Sequence, residues 1–99
     1  MIKYLWSVDY AGKRADYLEW TKSIAAQLQA PPDVKRMRSY DNALGASPNR
    51  VVEFEFEDLA AAGRYFDDSG VAAVLEELLS RGARVQVSAL RQRGDYTKG

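Results

Sequence analysis

The chain has 99 residues, with 14 basic and 14 acidic side chains and therefore no net charge. That length makes one domain with room for a real core, and the charge balance argues against a nucleic-acid partner, which wants a basic surplus. Cysteine and histidine are both absent, which excludes disulfides, thiolate chemistry, imidazole bases and the usual ligands of haem and zinc.

The first segment, "IKYLWSVDY", alternates. Ile2, Tyr4, Trp6, Val8 and Tyr10 share one face, and Lys3, Leu5, Ser7 and Asp9 share the other, which predicts a strand ended by Gly12. From Lys13 to about Gln29, Tyr17, Trp20, Ile24 and Leu28 recur at helical steps. "APPD" stops that helix because proline cannot continue it. "VKRMRSYDN" predicts a second strand, and "ALGASPN" supplies the residues of a hairpin loop, with Asp41 and Asn42 as turn residues. The third strand, Arg50 to Glu57, sets Val52, Phe54 and Phe56 against an acidic row, Glu53, Glu55 and Glu57.

Asp58 stands where an N-cap belongs. The helix it opens is interrupted at "DDSG", where Ser69 is expected to cap a second segment from Gly70 to about Leu79. Val71, Val74, Leu75 and Leu78 form that segment's apolar stripe, and Gly82 is its expected left-handed stop. "ARVQVSALRQR" alternates again and predicts a fourth strand. The domain spans residues 1–94, and 95–99 read as a flexible tail. No run of eighteen apolar residues is present to cross a membrane. The N-terminus lacks the basic-then-apolar pattern of a signal peptide, so a cytoplasmic location is expected and no membrane partner.

The order β-α-β-β-α-β, with right-handed crossovers, predicts a ferredoxin-like α+β fold: a four-stranded antiparallel sheet with both helical elements on one face. The other face is left bare. It carries Leu5, Glu53 and Glu55, with Arg36 and Arg38 on the neighbouring strand opposite the acidic row. Two readings compete for it. It is solvated, with ion pairs contributing under about 1 kcal/mol each, or it is covered by another protein surface.

From Ile2 to about Arg93 the chain resembles the dimeric α/β-barrel superfamily, in its branch of antibiotic-biosynthesis monooxygenase-like domains. "IKYLWSVDYAGKRADYLEW", "VVEFEFEDLAAAGRYFDDSGVAAVL" and the closing valine strand carry the resemblance. It implies a homodimer in which two bare sheet faces, with Leu5, Arg36, Arg38, Glu53 and Glu55, close into a shared barrel. The superfamily includes cofactor-independent monooxygenases of polyketide aromatics, haem-degrading oxygenases, lactone isomerases and non-catalytic ligand binders. This chain departs from the pattern at the chemical positions. Phe56 and Asp58 replace the Trp and Ser of a Trp-Glu-Ser turn, Tyr65 falls where a His commonly stands, and a second His is replaced near Gly70. The first strand lacks the Asn of the haem-degrading members. Those departures argue against haem degradation, and no cofactor or metal is expected.

What remains is an aromatic-rich space. Tyr4, Trp6, Trp20, Tyr40, Phe56 and Tyr65 are the candidate ligand-binding residues, set against the plain reading that such aromatics fill a core. The site is expected between the sheet and the last helix, where the "DDSG" break opens a gap. Two functions stay open: a homodimer that binds a small apolar or aromatic ligand, and a cofactor-independent monooxygenase or isomerase of an aromatic polyketide-like substrate. In the second, Tyr65 or Tyr40 orients a phenolate. A cavity separates them: several hundred cubic ångströms left empty by Trp6, Trp20 and Tyr65 between sheet and helices keeps the enzyme, and side chains that fill the space favour the non-catalytic dimer, which binds a small ligand or only buries its own core.

Overall fold

The computed structural model describes residues 1–97. Strands β1 (Ile2–Asp9), β2 (Arg36–Asp41), β3 (Arg50–Phe56) and β4 (Arg84–Arg91) form one sheet. Its order is β2-β3-β1-β4, antiparallel at every pairing. Helices α1 (Arg14–Gln29), α2 (Leu59–Asp67) and α3 (Ser69–Ser80) cover one face. This is the ferredoxin-like arrangement, with the last helical element divided in two. The part of the expected tail at Lys98 and Gly99 lies outside the described residues.

The register assigns the faces. β1 sets Tyr4 opposite Phe54 and Trp6 opposite Val52, while Lys3 and Leu5 oppose Glu55 and Glu53. Side chains alternate across a strand, so Trp6, Val52, Phe54 and Phe56 point to the helices. The acidic row points away. Phe54, Phe56 and Tyr65 are wholly buried, and the Tyr65 ring lies 5.7 Å from that of Phe54 and 5.2 Å from that of Phe56. Trp6 adds an edge-on contact with Phe54 at 4.8 Å. From α1 the stripe delivers Tyr17, Trp20 and Leu28, and from α3 Val71, Val74 and Leu78.

The helix ends follow from local chemistry. Asp58 caps α2 by accepting from the Ala61 amide at 2.8 Å. The break has a different agent from the one expected. Asp68, and not Ser69, caps α3, accepting from the Val71 amide at 3.1 Å, while Ser69 is already the first helical residue. Asp68 has extended backbone and donates its own amide to the Tyr65 carbonyl, closing α2 as it opens α3. Gly82 turns the chain into β4 with φ at +89°.

Candidate functional site

The bare sheet face is a charge lattice. Glu53, the buried carboxylate among the described residues, receives Lys3 Nζ at 3.1 Å and Arg38 Nη1 at 3.8 Å. Tyr40 donates its hydroxyl to Glu53 Oε2 at 3.1 Å. Glu55 lies 3.8 Å from Lys3 and 3.9 Å from Arg36. Burial alone would push the Glu53 carboxyl up; the bonds from Lys3 and Tyr40 and the charges of Lys3 and Arg38 outweigh it and hold the group below its ordinary value. Three cations thus serve two carboxylates, and Leu5 and Leu90 supply apolar surface beside them.

Tyr40 therefore does not join the aromatic cluster that the sequence assigned it to. It sits opposite Val51 on β2, in phase with Arg36 and Arg38, on the face away from the helices. Two other assignments also change. Phe56 is wholly buried core. Tyr65 is equally buried, and its hydroxyl donates to the Leu28 carbonyl at 2.6 Å, tying α2 to the end of α1. Burial holds that phenol protonated well above the ordinary tyrosine range. Neither its position nor its proton is free for a ligand.

Tyr4, Trp6 and Trp20 do line open space, on two sides of one wall. A groove of about 560 Å³ lies against α2 and α3 at the helix break. Tyr4, Trp6, Phe66, Val71, Leu75 and Val87 make its apolar sides. Ala62, Gly63 and Ala72 keep it open because they place almost nothing there. Its charged lining consists of Asp67 and Glu76. β4 is an edge strand, and its Val87 is 51% exposed although it faces the helical side.

The second space, a pocket of about 270 Å³, lies between α1 and the β2–β3 end of the sheet. Trp6 and Trp20 line it together with Met37, Val52 and Leu28. Arg50, which the sequence reading passed over, lines it as well. It stands first in the helix-facing row Arg50, Val52, Phe54, Phe56, and a cation at the head of an apolar row was the available signal. Its guanidinium donates to Asp41 at 2.9 Å and Ser39 Oγ at 3.1 Å, and lies 5.6 Å from the centre of the Tyr17 ring. Arg14 donates to the same Asp41 at 2.7 Å. The bond from Arg14, with help from Arg50, holds the Asp41 carboxyl below its usual range against the opposing effect of burial.

Among the described residues no cluster of acidic side chains is built to hold a metal ion, and no helix is long and apolar enough to cross a membrane.

No family model matches the chain, and no curated protein matches it. Solved structures do. Two crystal structures of SnoaB, a cofactor-independent oxygenase from Streptomyces nogalater, are similar with TM-scores of 0.79 and 0.76 at 14% identity, covering 98% of this chain and 97% of that one. HapK from Hahella chejuensis gives 0.73 at 21% identity over 100% of both chains. A dabb-family protein of ferredoxin-like fold from Mesorhizobium loti gives 0.73 at 17% identity, over 94% of this chain and 97% of its own. At such identities the likeness is one of fold. The chain has the ferredoxin-like fold, which it shares with these proteins and with a crystal structure described as an antibiotic biosynthesis monooxygenase.

Proposed function

We propose that the protein is a homodimer that binds a small neutral aromatic or apolar molecule in the groove at the helix break. The observation that carries this is the groove itself: about 560 Å³ walled by Tyr4, Trp6, Phe66 and Leu75. That is the size and lining of a small-molecule site. Two carboxylates and no cation among the lining residues favour a neutral ligand over an anion. The second copy pairs through the face carrying Leu5, Arg36, Arg38, Glu53 and Glu55, a reading supported by the absence of any helix over it and by the fold it shares with SnoaB.

Gly63 offers a clean test. A Cβ built there meets nothing within 4 Å, and the residue is helical. Gly63→Leu therefore fills the groove while removing a glycine from a helix, which favours folding by roughly 1 kcal/mol. Naphthalene-type probes should quench or shift tryptophan emission saturably in the wild type. In Gly63→Leu they should not, with thermal stability kept or raised. Equal binding by both proteins would move the ligand elsewhere.

The likeness to a cofactor-independent oxygenase favours a second reading, in which the groove holds a phenolic substrate that reacts with oxygen. Asp67 and Glu76 are then the carboxylates near it, with the Tyr4 phenol on the same wall. Oxygen consumption dependent on a phenolic substrate, and lost in Gly63→Leu, would establish it.

A further inference from the structure

The groove at the helix break has more to it than apolar walls. Phe66 links its aromatic side chains, the ring lying 5.0 Å from that of Tyr4 and 5.9 Å from that of Trp6, with planes inclined by 37° and 36°. Three neighbouring rings offer a flat fused-ring body several aromatic contacts at once.

The charge of the groove has one sign. Asp67 ends α2 and Glu76 lies on α3, so the two carboxylates come from the helices on either side of the break. Both residues are exposed, and so open to a ligand. Among the described residues neither takes part in an ion pair. Carboxylates elsewhere in the domain are committed: Glu53 and Glu55 hold Lys3, Asp41 holds Arg14 and Arg50, and Asp58 and Asp68 cap helices. The neighbouring cation, Arg64, donates to Asp33 at 3.1 Å and does not line the groove. The C-terminal end of α2, the negative pole of that helix, lies at the same break. The lining side chains thus carry two charged acceptors and no cation. Their donors are the Trp6 indole N–H and the Tyr4 hydroxyl, which also accepts.

We propose that the ligand of the groove is a neutral fused-ring heteroaromatic with a ring N–H, of indole type. The N–H donates to Asp67 or Glu76 while the rings lie against Tyr4, Trp6 and Phe66. This rests on the groove as the ligand site and adds the class of ligand. An aromatic ring N–H of this kind only donates. It therefore leaves no lone pair stranded against a carboxylate or an apolar wall. A ring oxygen in the same place brings an acceptor and no donor, and turns a lone pair toward negative charge. A bond to a carboxylate is charge-assisted, and stronger than one between neutral groups. Asp67 and Glu76 then determine specificity, and the aromatic walls determine fit.

The test uses indole and benzofuran, which share one outline, and 1-methylindole, in which the N–H is blocked. Each is titrated against the full chain while the Leu75 and Val87 methyl groups, which line the groove, are followed in ¹H–¹³C spectra. The two probes without an N–H are the more apolar, so apolar contact alone ranks them at or above indole. The proposal reverses that order: indole should bind about fivefold more tightly than either. The double variant Asp67→Asn/Glu76→Gln keeps the shape of both exposed side chains and removes their charge. It should bind benzofuran as the wild type does and lose most of the preference for indole. Benzofuran or 1-methylindole binding as tightly as indole would overturn the proposal and leave the groove a ligand site. So would a preference for indole that survives intact in the double variant. No shift of either methyl group with any probe at millimolar concentration would overturn the groove reading, and the proposal with it.

Discussion

Tyr65 shows how much one side chain settles. The sequence placed Tyr65 on the covering helix among the candidate ligand-binding aromatics; that its hydroxyl is taken by the Leu28 carbonyl was not legible, because the bond joins residues 37 apart. Tyr65→Phe should cost about 1–3 kcal/mol, since the carbonyl is left buried without a donor, as read by urea unfolding at neutral pH. The pH dependence has a definite sign. Burial raises the folded-state pKa, so above about pH 10 the unfolded chain releases a proton that the folded chain keeps. Stability should fall as pH rises through that range, and Tyr65→Phe should flatten the fall. At Glu53 the folded-state pKa is lowered, so the sign reverses. Its contribution is present above the ordinary carboxylate range, near pH 4, and is lost as pH falls below it. Glu53→Gln should show a shallower acid loss than wild type. Tyr40 carries the plainer lesson: Arg36 and Arg38 were read as facing the acidic row, and a period of two places Tyr40 with them.

At the scale of elements, the strands were legible because alternation is a local signal. The four strand positions, the helix of residues 14–29 and the stop at Gly82 all follow from spacing and turn chemistry. The cavities were legible only in part. The break in the covering helix announced a gap, and the groove lies at that break. The pocket did not announce itself, since its lining is drawn from β1, α1, β2, β3 and α3. Asp68 is the hinge of the break, closing one helix with its amide and capping the next with its carboxylate. Asp68→Ala should cost about 1 kcal/mol. It should also speed hydrogen exchange at the amides of Gly70 and Val71 more than at those of Tyr17 or Trp20, measured by mass spectrometry. Uniform acceleration across the chain would mean that the cap serves global stability alone.

For the whole molecule the open question is what meets the bare face. On that face Lys3, Arg36, Arg38 and Arg84 balance Asp9, Glu53, Glu55 and Glu57. Two copies brought together would therefore meet without net repulsion, and the cost that remains is the desolvation of the paired charges, which water or an offset of the two lattices must relieve. Light scattering after size exclusion should report twice the chain mass at micromolar concentration. Leu5→Glu, which alters the face without touching the helical core, should yield the monomer. A wild type that stays monomeric at those concentrations would remove the barrel.

Trp6 belongs to the walls of both cavities. An indole is one rigid plate with few rotamers, so a molecule that fixes it on one side changes what a molecule on the other side meets. Filling the groove with a neutral aromatic probe should therefore be felt on the far side of the ring: the Trp20 indole and Met37 methyl resonances, from residues that line the pocket and not the groove, should shift with it, and their silence would make Trp6 a fixed partition.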